Sequence, residues 1–310
     1  MNERYDVIII GGGAAGLSGA LTLARARWSV LVIDSGAPRN KPASHVHNFL
    51  TRDGTPPAEL LALARAEVAS YGVDIVDGTV VSAQPGFVIE LSDGRTVRAR
   101  RLLVTTGLVD ELPEIPGVAE RFGGTVIHCP YCHGWEVRDQ AIGVIAASPE
   151  GAMHQALLFR QLSDDVIVFQ HTVSEITAAQ LEELAARGIR VVTGEVAAVE
   201  DKGVRLVSGD FVERQAVVVA TRMTARSQVL AGLGLQTAEQ MFGDHVIGTY
   251  VPSDPMGATS VPGVWVAGNV TNLAAQVIVA AGAGLNAAAA INFDLVTEDT
   301  RLAVAAHREE

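Results

Sequence analysis

Short apolar runs that end at glycine or at an acidic residue recur along the chain. Residues 7–10, 30–33 and 102–104 are unbroken runs rich in β-branched side chains and leucine. Runs of this kind are typical of strands buried on both faces of a parallel sheet. Apolar residues at helical spacing follow the first run, at Leu17, Ala20, Leu21 and Ala24. The alternation of strand and helix predicts an α/β fold.

Further patterns extend this prediction along the chain. Helices are expected over about residues 58–71 and 276–293. Residues 87–91 and 96–98 predict a hairpin, because Asp93-Gly94 between them is a favoured tight-turn pair. Strands are expected at 140–145, 166–169 and 263–266, and the polar tail 297–310 is expected to fray.

A glycine-rich turn joins the first strand to the first helix and satisfies G-x-G-x-x-G. An aspartate ends the next strand, where a dinucleotide-binding motif expects the carboxylate that binds the ribose. Glycines let the backbone approach a pyrophosphate, and the helix N-terminus adds partial positive charge. The sequence therefore predicts a dinucleotide site made by Gly11, Gly13, Ala14, Ala15, Gly16 and Asp34.

Composition limits the class of protein. The 310 residues are enough for two domains with cores of their own. A net charge of −12 and a pI near 5.1 argue against nucleic acid and anionic membranes as partners. No signal-peptide pattern and no apolar run of the ~18 residues needed to span a membrane are evident. A soluble, cytoplasmic protein is predicted.

The two cysteines of the chain form one Cys-x-x-Cys pair, Cys129 and Cys132, between His128 and His133. Two sulfurs at this spacing can cycle between dithiol and disulfide, and an imidazole can take a thiol proton. Zinc is disfavoured because each histidine is adjacent to a cysteine, whereas zinc ligands are spaced by two or more residues. We predict a redox pair and no metal site.

Taken together, the motifs resemble the low-molecular-weight thioredoxin reductase family of flavoproteins. The resemblance rests on residues 11–16, 47–49, 105–107, 115–117, 129–134, 267–269 and 275–277. It implies two Rossmann-like nucleotide-binding domains of three-layer ββα type, the second inserted in the first. Residues 1–112 and 244–310 would bind FAD. Residues 113–243 would form the insertion that carries the cysteine pair and, in the family, the NADPH site.

The resemblance also implies which residues line the flavin. A helix that starts near Gln276 would point its N-terminus at the flavin. Arg39 is a candidate for the adenosine end of FAD, with a surface salt bridge as the alternative. His47 lies in a segment that resembles a flavin-contacting loop and could instead be solvated. The other residues implied are Asn48, Gly107, Gly268, Asn269 and Val277, with Asn269 where the family usually has aspartate.

The insertion departs from the family at its nucleotide turn. Residues 146–152 lack the glycines of a phosphate-binding turn, and Glu150 adds negative charge there. Residues 170–175, where the family has arginines for the 2′-phosphate, contain no arginine or lysine. Phosphate recognition depends on such cations and on open backbone N–H groups. We therefore predict that the insertion does not bind NADPH.

Without a nicotinamide site, electrons have to enter through sulfur. The Cys-Pro-Tyr-Cys-His-Gly run resembles that of the gliotoxin- and holomycin-type dithiol oxidases. The hypothesis is therefore an FAD-dependent oxidase that closes a disulfide in a small natural-product dithiol. The enzyme would pass the electrons to O2 and release H2O2. Cys129 would take the substrate thiolate and Cys132 would face the flavin. His133, with His128 as a possible second group, would be the general base.

Alternatives remain open. One is a disulfide reductase fed by NADPH or another donor, and another is a non-catalytic redox-sensing flavoprotein. The family resemblance also implies a homodimer. Trp135 is expected to be a packing residue, with a place in the substrate pocket as the alternative.

Overall fold

The computed structural model describes residues 3–309, and its first sheet runs in the order β3-β2-β1-β6-β5-β4, with β19 also paired to β6. β1, β2, β3, β6 and β19 pair in parallel, whereas β4, β5 and β6 form an antiparallel meander that includes the predicted hairpin. The strands are β1 (Arg4–Ile10), β2 (Val30–Asp34), β3 (Asp74–Asp77), β4 (Val80–Gln84), β5 (Val88–Leu91), β6 (Thr96–Val104) and β19 (Val264–Val266).

Alternate side chains of the central strand enter two different cores. Val7 and Ile9 of β1 face the helices α1 (Ala14–Arg25), α2 (Pro57–Ser70) and α8 (Val277–His307). Ile8 and Ile10 face the opposite way, into a core shared with the meander. Because both faces of the strand are buried, its sequence is apolar throughout rather than alternating. The result is a three-layer ββα unit, as the sequence predicts.

Small residues bring α1 and α8 close together. A Cβ atom on Gly284 would lie 1.9 Å from the carbonyl oxygen of Ala15, and one on Gly19 would lie 3.2 Å from the carbonyl oxygen of Gly284. The helix α8 extends to His307, so the prediction of a frayed tail from residue 297 was wrong. Arg100 and Arg101 of β6 pair with acidic residues at 294, 298 and 299 and fix this part of α8.

In the described part of the chain, α8 is also the one helix long and apolar enough to cross a membrane by length and composition. Asn286 and Asn292 interrupt its apolar run, which is why the sequence pattern predicted no membrane-spanning segment. One face of α8 packs in the core beneath the first sheet, at Ala280, Gly284, Ala287, Ala288, Ile291 and Leu295. A single helix that meets this test is weak evidence for a membrane span.

A second unit with the same layers lies between β7 (Leu108–Glu111) and β16 (Arg222–Ala225). Its parallel sheet runs in the order β11-β10-β9-β15-β8, with helices on one face and an antiparallel meander, β12-β13-β14, on the other. The strands are β8 (Val126–Ile127), β9 (Ile142–Ile145), β10 (Val166–Phe169), β11 (Arg190–Val192), β12 (Val196–Glu200), β13 (Gly203–Leu206), β14 (Phe211–Glu213) and β15 (Ala216–Val219). The helices are α3 (Val118–Arg121), α4 (Pro130–His133), α5 (Pro149–Phe159) and α6 (Ala178–Ala186).

A third sheet, in the order β17-β18-β16-β7, connects the two units. It contains β17 (Ala238–Phe242) and β18 (His245–Tyr250), and the short helix α7 (Gln228–Ala231) follows β16. Side chains of residues 225–235, which the sequence analysis assigned to the insertion, pack in the core of the first unit, at Ala225, Val229, Leu230 and Leu235. The chain thus returns to the first unit well before residue 243, because these apolar side chains are buried beneath its meander.

The tip of the β17–β18 hairpin lies against α5 of the second unit. The rings of Phe242 and His154 are 5.6 Å apart, and the His245 imidazole lies 3.8 Å from the Glu150 carboxylate. The hairpin therefore contacts the N-terminal turns of the helix that follows β9.

Candidate active site

A cavity of about 380 Å³ lies between the two units. Its walls come from the glycine turn after β1, the loop after β2, the turn after β6, the start of α8 and the cysteine segment. It brings together most of the predicted site residues, namely Gly11, Gly13, Ala14, Ala15, Asp34, Arg39, His47, Gly107, His128, Cys132, His133, Gly268, Asn269, Gln276 and Val277. Gly16, Asn48 and Cys129 do not line the cavity.

The three motif glycines have different roles. Gly11 has φ +109°, a conformation that favours glycine. A Cβ on Gly16 would lie 1.9 Å from the Gly11 carbonyl oxygen, so Gly16 is needed for the turn to close on the helix. A Cβ on Gly13 would meet no protein atom within 4 Å and would point into free space. The backbone at Gly13 is thus open to a phosphate, which is the geometry that a dinucleotide site needs.

Asp34 lies at the end of β2 and lines the same cavity. Its carboxylate accepts a hydrogen bond from the Gly12 N–H at 3.1 Å and pairs with Arg65 at 3.2 Å. Arg65 also pairs with Asp77 at 2.6 Å. These contacts hold the Asp34 carboxylate beside the glycine turn, where a ribose hydroxyl of a bound dinucleotide would be.

The amide of Asn269 organises the turn before α8. Its Nδ2 donates to the carbonyl oxygens of Asn272, Leu273 and Ala275, at 3.0, 3.3 and 2.9 Å. An aspartate at this position has no donor for these carbonyls. The departure from the family's aspartate therefore has a local structural reason, and Gln276 as N-cap then starts α8 at the cavity wall.

The cysteine pair lies at the N-terminus of α4, with Cys129 as the N-cap. A hydrogen bond from the Cys132 thiol is the largest factor that lowers the pKa of Cys129 to about 7, against the effect of burial. Backbone N–H groups of Tyr131 and Cys132 act in the same direction. The same thiol bond, with burial, raises the pKa of Cys132. In the reduced pair the thiolate is therefore Cys129, while Cys132 faces the cavity.

The two flanking histidines have different surroundings. Both ring nitrogens of His133 are buried without a hydrogen-bond partner, and burial lowers the pKa of this imidazole. His128 stacks on Phe122, with ring centroids 5.7 Å apart, and burial lowers its pKa to about 4. Both imidazoles are thus neutral near pH 7. His133 follows Cys132 in the chain, lines the cavity and has both ring nitrogens unpartnered, so it is the better placed to accept a proton.

An arginine–aspartate pair that the sequence analysis missed lies at the cysteine end of the cavity. Arg39 donates to both carboxylate oxygens of Asp110, at 2.6 and 2.7 Å, and the Thr221 hydroxyl donates to the same carboxylate at 2.9 Å. Burial opposes ionisation of Asp110, but Arg39, together with His128 and Thr221, outweighs it and lowers the pKa of that carboxyl. The charge of Arg39 also acts on Cys129 and Cys132. Arg39 therefore lies near the dithiol rather than at the adenosine end.

The loop that contains His47 and Asn48 packs on the cysteine segment. The Asn48 amide donates to the Tyr131 carbonyl oxygen at 2.7 Å, and His47 Nε2 lies 3.4 Å from a Glu136 carboxylate oxygen. Asn48 therefore supports the cysteine segment from outside the cavity. Trp135 was predicted to be a packing residue, but its side chain is exposed and its ring packs against Arg138.

The second nucleotide turn, after β9, has a different geometry. The Ser148 hydroxyl caps α5 by accepting the Gly151 N–H at 3.1 Å. Glu150 lies in the first turn of α5 and against the hairpin tip, where a Cβ on Gly243 would be 3.3 Å from its Cγ. One helix N–H is thus already bonded, and a carboxylate lies where a phosphate would need positive potential.

The segment after β10 is also engaged in local bonds. Gln170 Nε2 donates to the Val173 carbonyl oxygen at 2.9 Å, and His171 Nδ1 accepts the Val196 N–H at 3.0 Å. Neither side chain points a cation at a 2′-phosphate. The first turn thus fits a dinucleotide such as FAD, with Gly11, Gly13, Asp34 and the start of α8 as its contacts, whereas the second lacks the donors.

Comparison with known proteins identifies the family. A model of the pyridine nucleotide-disulphide oxidoreductase family matches residues 5–284. The chain belongs to this family. A protein named thioredoxin reductase tcpT, from Claviceps purpurea (strain 20.1), is 34% identical over 285 residues, which are 85% of this chain and 86% of the relative.

Solved structures agree with this assignment. The crystal structure of HlmI is 44% identical with a TM-score of 0.90, and the match covers 100% of this chain and 98% of that one. An oxidoreductase from Agrobacterium tumefaciens is 37% identical with a TM-score of 0.90, covering 95% of this chain and 99% of that one. The resemblance and the fold class predicted from the sequence are confirmed, and the protein is an oxidoreductase of the flavin disulphide type.

Proposed function

We propose that the protein is an FAD-dependent dithiol oxidase that forms an intramolecular disulfide in a small natural-product dithiol. The observation that carries the proposal is the second nucleotide turn, where the Ser148 cap, Glu150 and the hairpin tip leave no cationic, open site for NADPH phosphates. A redox dithiol faces the cavity of the first turn. Electrons therefore enter through the cysteine pair.

The residues account for the thiol chemistry as follows. A substrate thiolate attacks the Cys129–Cys132 disulfide at Cys129, and Cys132 leaves toward the cavity. The second substrate thiol then attacks the mixed disulfide, so that the substrate S–S bond forms and the cysteine pair takes up two electrons. His133, neutral and without a partner, accepts the proton of a substrate thiol. Bound FAD would supply the two-electron acceptor that reoxidises the pair, with O2 as final acceptor and H2O2 as its product.

An anaerobic reduction experiment tests the direction of electron flow. Purified protein with bound flavin is mixed with NADPH and, separately, with a small dithiol, while the flavin absorbance is followed. The proposal expects rapid bleaching by the dithiol, none by NADPH, and H2O2 release on admission of air. Bleaching by NADPH at a catalytic rate would instead establish the reductase alternative, and bleaching by neither would favour a redox-sensing or binding flavoprotein.

A cysteine variant tests whether electrons pass through Cys132. Cys132→Ser removes the sulfur that faces the cavity, and turnover should fall by about a thousandfold or more because the pair acts as a unit. The flavin content should be unchanged, since the glycine turn is untouched. Turnover that survives in this variant would remove Cys132 from the electron path.

The proposal also covers the oligomeric state, location and partners of the enzyme. We infer a cytoplasmic homodimer that acts on a small molecule and on O2, without nucleic acid or membrane as a partner. Exposed apolar side chains along α8, among them Leu285 and Phe293, offer a surface that a second copy could cover. Sedimentation equilibrium distinguishes the dimer from a monomer.

A further inference from the structure

Three large apolar side chains are exposed around the cysteine pair. Leu50, Tyr131 and Trp135 have relative exposures of 81%, 59% and 66%. Tyr131 lies between the two cysteines in the chain, and Trp135 follows Cys132 by three positions. We call Leu50, Tyr131 and Trp135 the rim. Clustered exposed apolar side chains next to a reactive group mark a binding surface more often than single ones do.

Specific bonds hold the two segments of the rim together. The Asn48 amide donates to the Tyr131 carbonyl oxygen, which places Leu50, two residues further on, beside the cysteine segment. The Asp53 carboxylate accepts the Asn48 N–H at 2.8 Å and fixes the loop from its other side. The rim is therefore a built surface rather than a loose loop.

The backbone beneath Leu50 is strained. Asn48 has φ +58° and Thr51 has φ +74°, a region that side-chain-bearing residues seldom adopt. Two such residues within four positions persist only where the surrounding contacts require that path. The path presents Leu50 to solvent instead of folding it into the apolar interior.

Trp135 is held in place by a cation. The Arg138 guanidinium carbon lies 4.3 Å from the centroid of the Trp135 ring, and Arg138 Nη1 donates to the Trp135 carbonyl oxygen at 2.7 Å. A guanidinium at this distance stabilises and orients an aromatic ring. The rest of the ring remains exposed as a flat apolar platform.

We propose that the rim is the subsite for an uncharged, cyclic or aromatic body of the dithiol substrate, and that Trp135 and Leu50 determine specificity. This inference rests on the proposed function and names its substrate class. Tyr131 follows Cys129 by two positions in the chain. A body resting on the rim would therefore keep its thiols near the reactive sulfur.

Its size favours a small molecule over a protein. Large side chains bury roughly 150–250 Å² each, so the rim can cover about 400 Å² of a ligand at the exposures given above. A protein partner of standard size buries about 800 Å² per side. The polar groups beside the rim contact one another: His47 lies 3.3 Å from Asp53 and 3.4 Å from Glu136, and Arg138 donates to the Trp135 carbonyl oxygen.

Steady-state oxidation of two dithiols tests the proposal. One substrate is 1,2-benzenedimethanethiol, which has an apolar aromatic body, and the other is dithiothreitol, which is polar. Trp135→Ala and Leu50→Ala should each lower kcat/KM for the aromatic dithiol about tenfold, mainly through KM, because a contact with the substrate body is lost. The same variants should change kcat/KM for dithiothreitol less than about twofold, and Trp135→Phe should restore most of the aromatic preference.

A matched control comes from another exposed aromatic beside an arginine. Tyr71 lies 5.3 Å from the Arg25 guanidinium, away from the cavity lining. Tyr71→Ala should leave both substrates unaffected. Tyr131 is kept intact in all variants, because it lies between the cysteines and its backbone N–H affects the Cys129 thiolate.

The outcomes separate the two proposals. If the wild-type protein oxidises neither dithiol, the proposed oxidase function fails. If it oxidises both and the rim variants leave the ratio of kcat/KM values unchanged, the function stands and the rim proposal is overturned. If the variants slow exchange with a thioredoxin protein but not with the aromatic dithiol, the rim is a protein-docking surface and the small-molecule subsite is also overturned.

Discussion

The turns at residues 11–16 and 146–152 follow equivalent buried strands of two similar units, and they differ in what they leave open. In the first, Gly13 presents free backbone to the cavity. In the second, Ser148 occupies a helix N–H, and Glu150 faces the hairpin tip. Both units keep full apolar cores on the two faces of their sheets. Core packing preserves the unit, whereas a few polar residues at one turn decide whether it can bind a nucleotide.

The comparison is tested most strongly by placing one methyl group in each turn. Gly13→Ala should fold normally, because φ is −82° and its Cβ meets no protein atom, but the methyl would occupy phosphate space. We expect FAD affinity to fall about 100-fold. Flavin content after gel filtration and the melting temperature of the apoprotein measure the two effects.

The matched change in the second turn is Gly151→Ala. Its Cβ would meet only the Ser148 hydroxyl, at 2.8 Å, and that side chain can rotate away. Flavin content should stay at the wild-type level. Full flavin occupancy in Gly13→Ala would contradict the assignment of the first turn as the phosphate site.

The second unit contains the reactive dithiol, and the next prediction concerns the ionisation of its Cys129 thiol. With the pKa of Cys129 at about 7, the rate of iodoacetamide alkylation of the reduced protein should rise with pH through an inflection near pH 7. Cys132→Ala removes the thiol donor, so the inflection should move up toward the ordinary value of about 8.5, and alkylation at pH 7 should slow about tenfold. An unchanged inflection would show that Cys132 does not stabilise the thiolate.

An effect of similar size is expected at the ribose end of the first site. Asp34→Asn removes the carboxylate that lines the cavity and should weaken FAD binding about tenfold, as measured by equilibrium titration of the apoprotein. Asp77→Asn is the matched control, because Asp77 shares Arg65 with Asp34 but is 82% exposed and does not line the cavity. Equal losses in both variants would assign the effect to Arg65 instead of to the ribose contact.

The last substitution, Glu150→Gln, is expected to leave the response of the flavin to NADPH unchanged. Glu150→Gln removes the negative charge of the second turn, yet NADPH should still fail to bleach the flavin, since the cations for a 2′-phosphate are absent from residues 170–175. Anaerobic titration up to about 1 mM NADPH checks this, a range in which weak nucleotide binding would register. Bleaching in the variant but not in the wild-type protein would show that this one charge closes the site.

Contiguous motifs explain why much of the site could be predicted from the sequence. The first turn, the cysteine pair and the lost second turn each lie within a few residues of chain, so spacing and composition reveal them. The pair of Arg39 and Asp110 joins positions 71 residues apart, and Thr221 lies a further 111 residues away from Asp110. No local pattern reports such contacts, because they depend on how the units pack.

Two other features that the sequence did not predict also depend on contacts between distant residues. The α8 helix continues past residue 297 because Arg100 and Arg101 on a distant strand pair with its acidic side chains. The hairpin tip at residues 242–245 meets α5 about 90 positions from it in the chain. In both cases the partner is set by tertiary structure, which the periodicity of a single segment does not contain.

The length of α8 has a practical consequence. The helix begins at Val277 in the cavity wall, and the side chain of Val304 near its other end is exposed. At a rise of 1.5 Å per residue, these two positions are about 40 Å apart along one rigid rod. A fluorescent or surface-linking group attached at Val304 would therefore sit far from the flavin, and a single enzyme could be immobilised by this end while its substrate still diffuses freely to the sulfur atoms.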